Sequence, residues 1–357
     1  MISTRLSGIK TLFFLSLILI SGASITGCGR DKLSSCEVNG FHLDTFTSIV
    51  AYTSDFYDES DSFLTRNEKA KERCASFLSE CDEELTRYEA LLSKTREGSD
   101  VYRINHAGGA EVKIDDDTAF VLEKAIYYAE LSGGAFDPTI GTVSELWDFQ
   151  ADSERNVPEA LELSDALSHV DYSGINLIKK EDGFYASLSD PEASLDLGGI
   201  AKGFIADKIK DHFAECGAKS GIINLGGNVL LVGKKPDGSA INVGIQKPFG
   251  GSAEAIKTLT LSDKSVVTSG IYDRYFEKDG KIYHHILDTK TGFPVENDVI
   301  SATIVSDSSL DGDALSTICL SLVTEKGIEL INSIPDTFVL FIKDDYEVVC
   351  SDGFPVN

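Results

Sequence analysis

The chain has 357 residues, with 58 Asp plus Glu against 32 Lys plus Arg, a formal net charge of −26. At 42% hydrophobic and 25% charged it holds ample apolar material for a packed core, which excludes wholesale disorder. A field this acidic repels phosphate backbones at long range, and no Lys/Arg-rich run offsets it, which argues against a nucleic-acid partner.

Residues 1–27 stand apart from the rest. Arg5 and Lys10 precede the apolar run Leu12 to Ile20, and small residues follow as far as Gly27. This pattern reads as a secretory signal peptide, with an apolar part shorter than the roughly 20 residues that span a bilayer. Ile25-Thr26-Gly27-Cys28 resembles the lipobox of bacterial lipoproteins, so Cys28 is expected as a lipidated first residue. The alternative is an ordinary signal peptide with an incidental cysteine. On the first reading, residues 28–39 are a tether and residues 40–357 one large domain, lipid-anchored outside the cytoplasm at a periplasmic face or a cell surface. No other segment is long and apolar enough to cross a membrane.

Further along, Gly40 to Tyr52 alternates as a strand. A long helix follows, with Cys74, Phe77, Leu78, Cys81, Leu85, Tyr88 and Leu92 at i+3 and i+4 steps. Export permits disulfides, but Cys74 and Cys81 lie two turns apart on that helix, about 10 Å, so both are expected as buried apolar residues. A second helix runs from about Asp117 to Ser132 and stops at Gly133-Gly134. Phe136-Asp137-Pro138 leads into an irregular stretch containing Trp147. Around Asp196 a short strand is expected to pass through Gly198-Gly199 into a helix carrying Ile200, Phe204, Ile209 and Phe213.

Strands then dominate: Gly221 to Leu225, Val229 to Val232, Ile241 to Gln246, Thr258 to Leu261 and Ser265 to Ser269. Tyr275 to Ile286 reads as a hairpin turning at Asp279-Gly280. A strand at Ile300 to Ser306, helices near Ser309–Val323 and Lys326–Ser333, and a hairpin from Phe338 to Cys350 complete the chain. The pattern is α+β, with mixed or antiparallel sheets packed by helices.

Three Gly-rich turns lie beside acidic, amide or hydroxyl groups: Gly133 to Asp137, Asp196 to Gly203, and Asn224 to Asn228. Each alone is more often a structural turn than a site. A Gly-Gly turn opening a helix also presents free N–H groups and the positive dipole end to a phosphate, here with Lys202 alongside. Neither GxGxxG after a strand nor GxxxxGK[ST] occurs, so no Rossmann site or P-loop is indicated. Asp313 and Thr317, four apart on a predicted helix, could share a hard cation such as Mg²⁺. A bare Asp and Thr at that spacing is otherwise a solvated helix face.

In this order, Ser132 to Pro138, Asp196 to Gly203, Asn224 to Asn228, Val267 to Gly270 with Tyr275-Phe276, His285 to Pro294, and Asp313 to Thr317 resemble the motifs of the ApbE family. These are the FAD:protein FMN transferases, and the resemblance covers nearly the whole chain after the signal peptide. It implies a single α+β domain and a Mg²⁺-dependent transfer of FMN from FAD to a Thr or Ser hydroxyl of an extracytoplasmic target protein, releasing AMP. It implies metal ligands at Gly199, Asp313 and Thr317, and FAD contacts at Ala135, Phe136, Asp137, Asp196 and Lys202, with Leu43, Thr95 and Ile286 at the same site. His285 matches the proposed general base, with Lys202 sharing the charge of the phosphates. His284 is expected on the opposite strand face.

Two departures stand out. Leu43-Asp44-Thr45 replaces the Met-Gly-Thr of many members, and Ser93-Lys94-Thr95 stands where some carry a Tyr. An uncovered diphosphate near Thr95 suggests FAD pyrophosphatase activity, yielding free FMN and AMP. The remaining alternative is a non-catalytic flavin-binding lipoprotein.

Overall fold

The structure, a computed structural model, describes residues 33–147, 149, 156–250 and 254–355. The expected signal peptide and Cys28 lie outside the described residues.

Strands β1 (Ser35–His42) and β2 (Thr45–Tyr52) form an antiparallel hairpin. Its two turn residues, Leu43 and Asp44, both sit at positive φ, 54° and 57°. This corrects the single strand expected from Gly40 to Tyr52. No Gly or Asn marks the turn, and tertiary contacts impose it: the Leu43 N–H donates to Glu89 Oε1 at 2.8 Å, and Arg274 Nη2 donates to the Asp44 carbonyl at 3.4 Å. The hairpin also corrects the tether assigned to residues 28–39, because Ser35 to Asn39 pair with Ser48 to Tyr52.

Helix α1 (Arg66–Leu92) buries the predicted face, Cys74 and Cys81 included, and both cysteines are free thiols. Next come α2 (Asp100–Asn105), β3 (Val112–Ile114), α3 (Asp116–Leu131), α4 (Gly141–Trp147), α5 (Ala160–Leu167), β4 (Ile175–Lys180) and β5 (Gly183–Leu188). The stretch around Trp147 that reads as irregular is α4, a helix too short for its period to show. Trp147 is buried in a small core of its own with Val143, Leu163, Phe276 and Leu287. The strand expected around Asp196 does not form. Its pairing shrinks to a single parallel bridge between Ser194 and Ile140, with the Asp196 N–H donating to the Pro138 carbonyl at 2.7 Å, while the Asn105 amide holds Leu195, accepting from its N–H at 2.7 Å and donating to its carbonyl at 3.0 Å.

The second half supplies α6 (Ala201–Glu215), β6 (Gly221–Leu225), β7 (Asn228–Val232), β8 (Ile241–Gln246), β9 (Ala255–Leu261) and β10 (Ser265–Gly270). It continues with β11 (Tyr275–Lys278), β12 (Lys281–His284), β13 (Val299–Ser306), α7 (Ser309–Ser321), α8 (Thr324–Asn332), β14 (Phe338–Lys343) and β15 (Val348–Cys350). Asp279 and Gly280 turn the β11–β12 hairpin at φ 53° and 76°, as Asp-Gly predicts.

An antiparallel sheet in the order β1-β2-β6-β7-β10-β13-β14-β15 spans this single α+β domain. On one face Ile49, Ile223, Leu230 and Ile304 join Phe204 of α6 and Leu315 of α7 in the main core. On the other, Ile222, Val229 and Leu231 meet the β8–β9 hairpin through Ile241, Val243 and Leu259. Buried on both sides, β13 reads as a continuous apolar and small-residue run rather than an alternating one.

Helices α6 and α7 cross at Gly203, where a methyl would come 2.2 Å from the Ser309 carbonyl oxygen and 2.6 Å from Leu310 Cα. Asp207, one turn further along α6, caps α7 from outside: its carboxylate accepts from the Ser309 N–H at 2.8 Å and the Leu310 N–H at 2.9 Å. The replacement Gly203→Ala is expected to force the helices apart and cost about 1–3 kcal/mol, read as a lower urea midpoint. An unchanged midpoint would contradict this crossing.

Candidate functional site

The close crossing at Gly203 carries Asp313, on the second turn of α7, to the start of α6. Asp313 is 2% exposed. Its Oδ2 accepts from the Gly203 N–H at 2.9 Å, and Lys202 Nζ lies 3.2 Å from Oδ1. Lys202 also donates to the Gly198 carbonyl at 2.9 Å, which folds its side chain back over the Gly-Gly turn. Thr317 follows one turn after Asp313, and its hydroxyl makes a long 3.4 Å contact to the Asp313 carbonyl. A methyl on Gly199 would come 3.4 Å from that hydroxyl and 3.1 Å from the Phe136 ring. Gly199, Asp313 and Thr317, the three expected metal ligands, are therefore neighbours at the crossing, and Phe136 of the first Gly-rich turn reaches the same place. A carboxylate, a hydroxyl and a backbone carbonyl suit a small hard cation.

Ala135 and Phe136 are held by their loop. The Phe136 N–H donates to Ser132 Oγ at 3.0 Å, and Thr289 Oγ1 donates to the Gly134 carbonyl at 2.6 Å, tying this loop to the one after His285. Trp147 Nε1 donates to the Gly292 carbonyl at 2.7 Å and closes the same junction. Asp137 points inward. Its carboxylate accepts from the Thr139 N–H and hydroxyl and from the Tyr172 N–H, so it shapes the loop from beneath.

Asp196 is engaged as well. Oδ1 accepts from the Gly198 N–H at 2.9 Å, while Oδ2 meets Lys94 Nζ at 2.9 Å and Ser144 Oγ at 3.0 Å. Burial opposes its charged form, but Lys94 and these donors outweigh it and hold the carboxyl at about 2. Lys94 went unremarked as a charge partner in the sequence, although it adjoins Thr95. Thr95 itself lies in an exposed turn, bonded to Ser93 and next to Lys94 in the chain. Ile286 is 6% exposed and belongs to the main core, so only its backbone faces the neighbouring loop, accepting from the Val295 N–H at 3.0 Å.

His285 continues the β12 strand, its N–H donating to the Arg274 carbonyl at 3.1 Å. Its Nδ1 lies 3.2 Å from the same oxygen. A carbonyl can only accept, so Nδ1 carries the proton and Nε2 presents the lone pair. Burial, reinforced by the charge of Arg274, pushes this imidazole down to about 3, and the charge of Lys202 acts in the same direction. His285 is thus neutral at physiological pH and within the field of Lys202. The Arg274 side chain reaches Asp44 beside Leu43, which brings the β1–β2 turn to the same edge.

Arg274 and Asp273 are additions that sequence reasoning did not supply. Their only signal was that they directly precede the Tyr275-Phe276 motif. Much of Asp273 meets solvent, yet the protein packed around its carboxyl raises it to about 6 despite Arg274 and Lys202 nearby. His284 takes the other strand face as expected. It is buried, with Nε2 3.1 Å from the Val295 carbonyl and Nδ1 without a partner, and burial lowers it to about 4.

The model of the family described as ApbE matches residues 43–341. A FAD:protein FMN transferase of Treponema pallidum is 38% identical over 281 residues, covering 75% of this chain and 77% of that protein. One of Klebsiella pneumoniae is 35% identical over 268 residues, covering 75% and 82%. Among solved structures, the ApbE protein of Thermotoga maritima superposes with a TM-score of 0.76 at 28% identity, over 90% of this chain and 98% of that one. The flavin transferase ApbE from Vibrio cholerae gives 0.75 at 25% identity, with the same coverage.

The two histidines, both held below their ordinary value, predict an acid-sensitive fold. Both lie below the unfolded value of about 6.5, so between about pH 4 and 6.5 the unfolded chain binds more protons than the native one. Stability therefore rises with pH across that window and is lost as pH falls. Replacing His284 by Gln is expected to flatten the dependence by up to about 1.4 kcal/mol per pH unit. Urea midpoints at pH 7, 6 and 5 measure it, and an unchanged slope would assign the acid sensitivity elsewhere.

Proposed function

The chain belongs to the ApbE family, and from that premise we propose that it is a FAD:protein FMN transferase, moving FMN from FAD onto a Thr or Ser hydroxyl of a target protein with release of AMP. The observation that carries this reading is the clustering of Lys202, Asp313 and Thr317, together with a neutral His285 that feels the charge of Lys202 and presents the Nε2 lone pair.

In the reaction, the acceptor oxygen forms a bond to the FMN phosphorus while the bond from that phosphorus to the AMP phosphate breaks. His285 Nε2 takes the hydroxyl proton, which a neutral imidazole can do and an imidazolium cannot. Lys202 lies where negative charge on the diphosphate would accumulate, and Gly198-Gly199 lets the phosphates approach the start of α6. Gly199, Asp313 and Thr317 would hold Mg²⁺. When bound, the ion would neutralise the phosphate oxygens and the departing AMP. Phe136 packs beside this set, and Leu43 stands at the rim, where Arg274 joins its turn to the His285 hairpin.

The N-terminal sequence supports export and lipid attachment at Cys28, which would place the acceptor among extracytoplasmic redox proteins. A second reading, hydrolysis of FAD to FMN and AMP, draws on Thr95, whose exposed turn offers no aromatic cover.

Purified protein, FAD, Mg²⁺ and a Thr-bearing acceptor protein are expected to give an acceptor mass gain of one FMN phosphoester together with AMP. His285→Ala should slow the transfer by about 10²–10⁴-fold, and Asp313→Ala should abolish its dependence on Mg²⁺. AMP and free FMN without acceptor would select the hydrolytic reading, and unchanged FAD would overturn both.

A further inference from the structure

We propose that Glu80, His212 and Cys216 form a surface site for a borderline-soft divalent metal, Zn²⁺ foremost, that clamps α1 to α6. His212 and Cys216 are one turn apart at the C-terminal end of α6, so both project from one face. Glu80 reaches them from α1. Their ligand atoms all lie within 4.8 Å of one another. His212 Nε2 is 3.7 Å from Cys216 Sγ and 3.4 Å from Glu80 Oε2. Tetrahedral zinc, with bonds of about 2.0–2.3 Å, separates its ligands by about 3.3–3.8 Å, so two of the three edges are already in place. The third can close by rotation of Glu80, which is exposed.

The histidine is pre-oriented. Its ring stacks on Phe77 at 5.3 Å and 4°, and Phe77 is in turn held edge-on by Phe213 at 4.7 Å. A nitrogen, a sulfur and an oxygen together suit zinc rather than Mg²⁺ or Ca²⁺, which favour oxygen throughout. On coordination the Cys216 thiol gives its proton to solvent, and thiolate plus carboxylate balance the two positive charges. The carbonyl end of α6 adds a favourable field for a cation, and water completes the fourth position. Lys202 and Cys216 are 14 positions apart along α6, about 21 Å, so this cluster is separate from the proposed Mg²⁺ ligands.

The test titrates the metal-free full chain with Co²⁺, whose thiolate charge-transfer and d–d absorption report a sulfur ligand and four-coordination, and then displaces it with Zn²⁺. One Co²⁺ per chain with both bands is expected. The bands should vanish in Cys216→Ser and persist in Thr317→Ala, and Zn²⁺ affinity should fall at least about 10-fold in His212→Gln. Zn²⁺ should raise the melting temperature of the parent chain but not that of the exposed-site variant Glu80→Gln. Bands that survive in Cys216→Ser, or Zn²⁺ affinity and stabilisation that survive in both His212→Gln and Glu80→Gln, would overturn the proposal.

Discussion

A carboxylate buried against a helix crossing governs this structure. Asp313 sits on α7, a helix whose residues are mostly buried, where an unpaired charge would be costly. It is tolerated because Gly203 lacks a side chain, so α6 comes close enough for its own N–H and the Lys202 ammonium to reach the carboxylate. Asp207 then anchors the α7 N-terminus to α6 a second time. With the two helices locked in register, Gly199 and Thr317 have no choice but to face each other.

Around this pair the loops are held by a few bonds that each cross the site. Thr289 to Gly134, Trp147 to Gly292 and Lys94 to Asp196 connect segments that are far apart in the chain. Arg274 plays the same part at the other edge, with its carbonyl setting the tautomer of His285 and its guanidinium reaching Asp44. The adjacent histidines show how such surroundings divide roles. One is buried with an orphan nitrogen and stays neutral near pH 7, whereas the other keeps its lone pair beside a cationic group.

Helix α6 does separate work along its length. Its first turn serves the proposed phosphate and metal positions, its middle caps α7, and its last turn carries His212 and Cys216 toward α1. Because α1 also packs on β1, a metal at that end would brace the N-terminal hairpin, whose strained Leu43-Asp44 turn borders the site. Lys94 and Lys202 each pair with one carboxylate, and Arg274 adds a third positive charge at the edge beside His285.

Periodicity and turn chemistry are local, and they were legible. The buried face of α1, the strands from Gly221 onward, the Asp279-Gly280 hairpin and the α+β class follow from spacing alone, and the ordered motifs marked Gly199, Lys202, His285, Asp313 and Thr317. Features made by contacts between distant segments were not legible. The Leu43-Asp44 turn exists because Glu89 and Arg274 hold it, the expected strand at Asp196 shrinks to a bridge with Ile140 beside the Asn105 side chain, and α4 is too short to show a period. Likewise, that Asp137 and Asp196 have their oxygens engaged, and that Lys94 and Arg274 border the site, depends on which side chains tertiary packing brings within hydrogen-bond reach. Sequence alone determined the family of residues and the order in which they come; only the crossing of α6 on α7 decided which of them meet, because a contact at 3 Å depends on packing that no local pattern encodes.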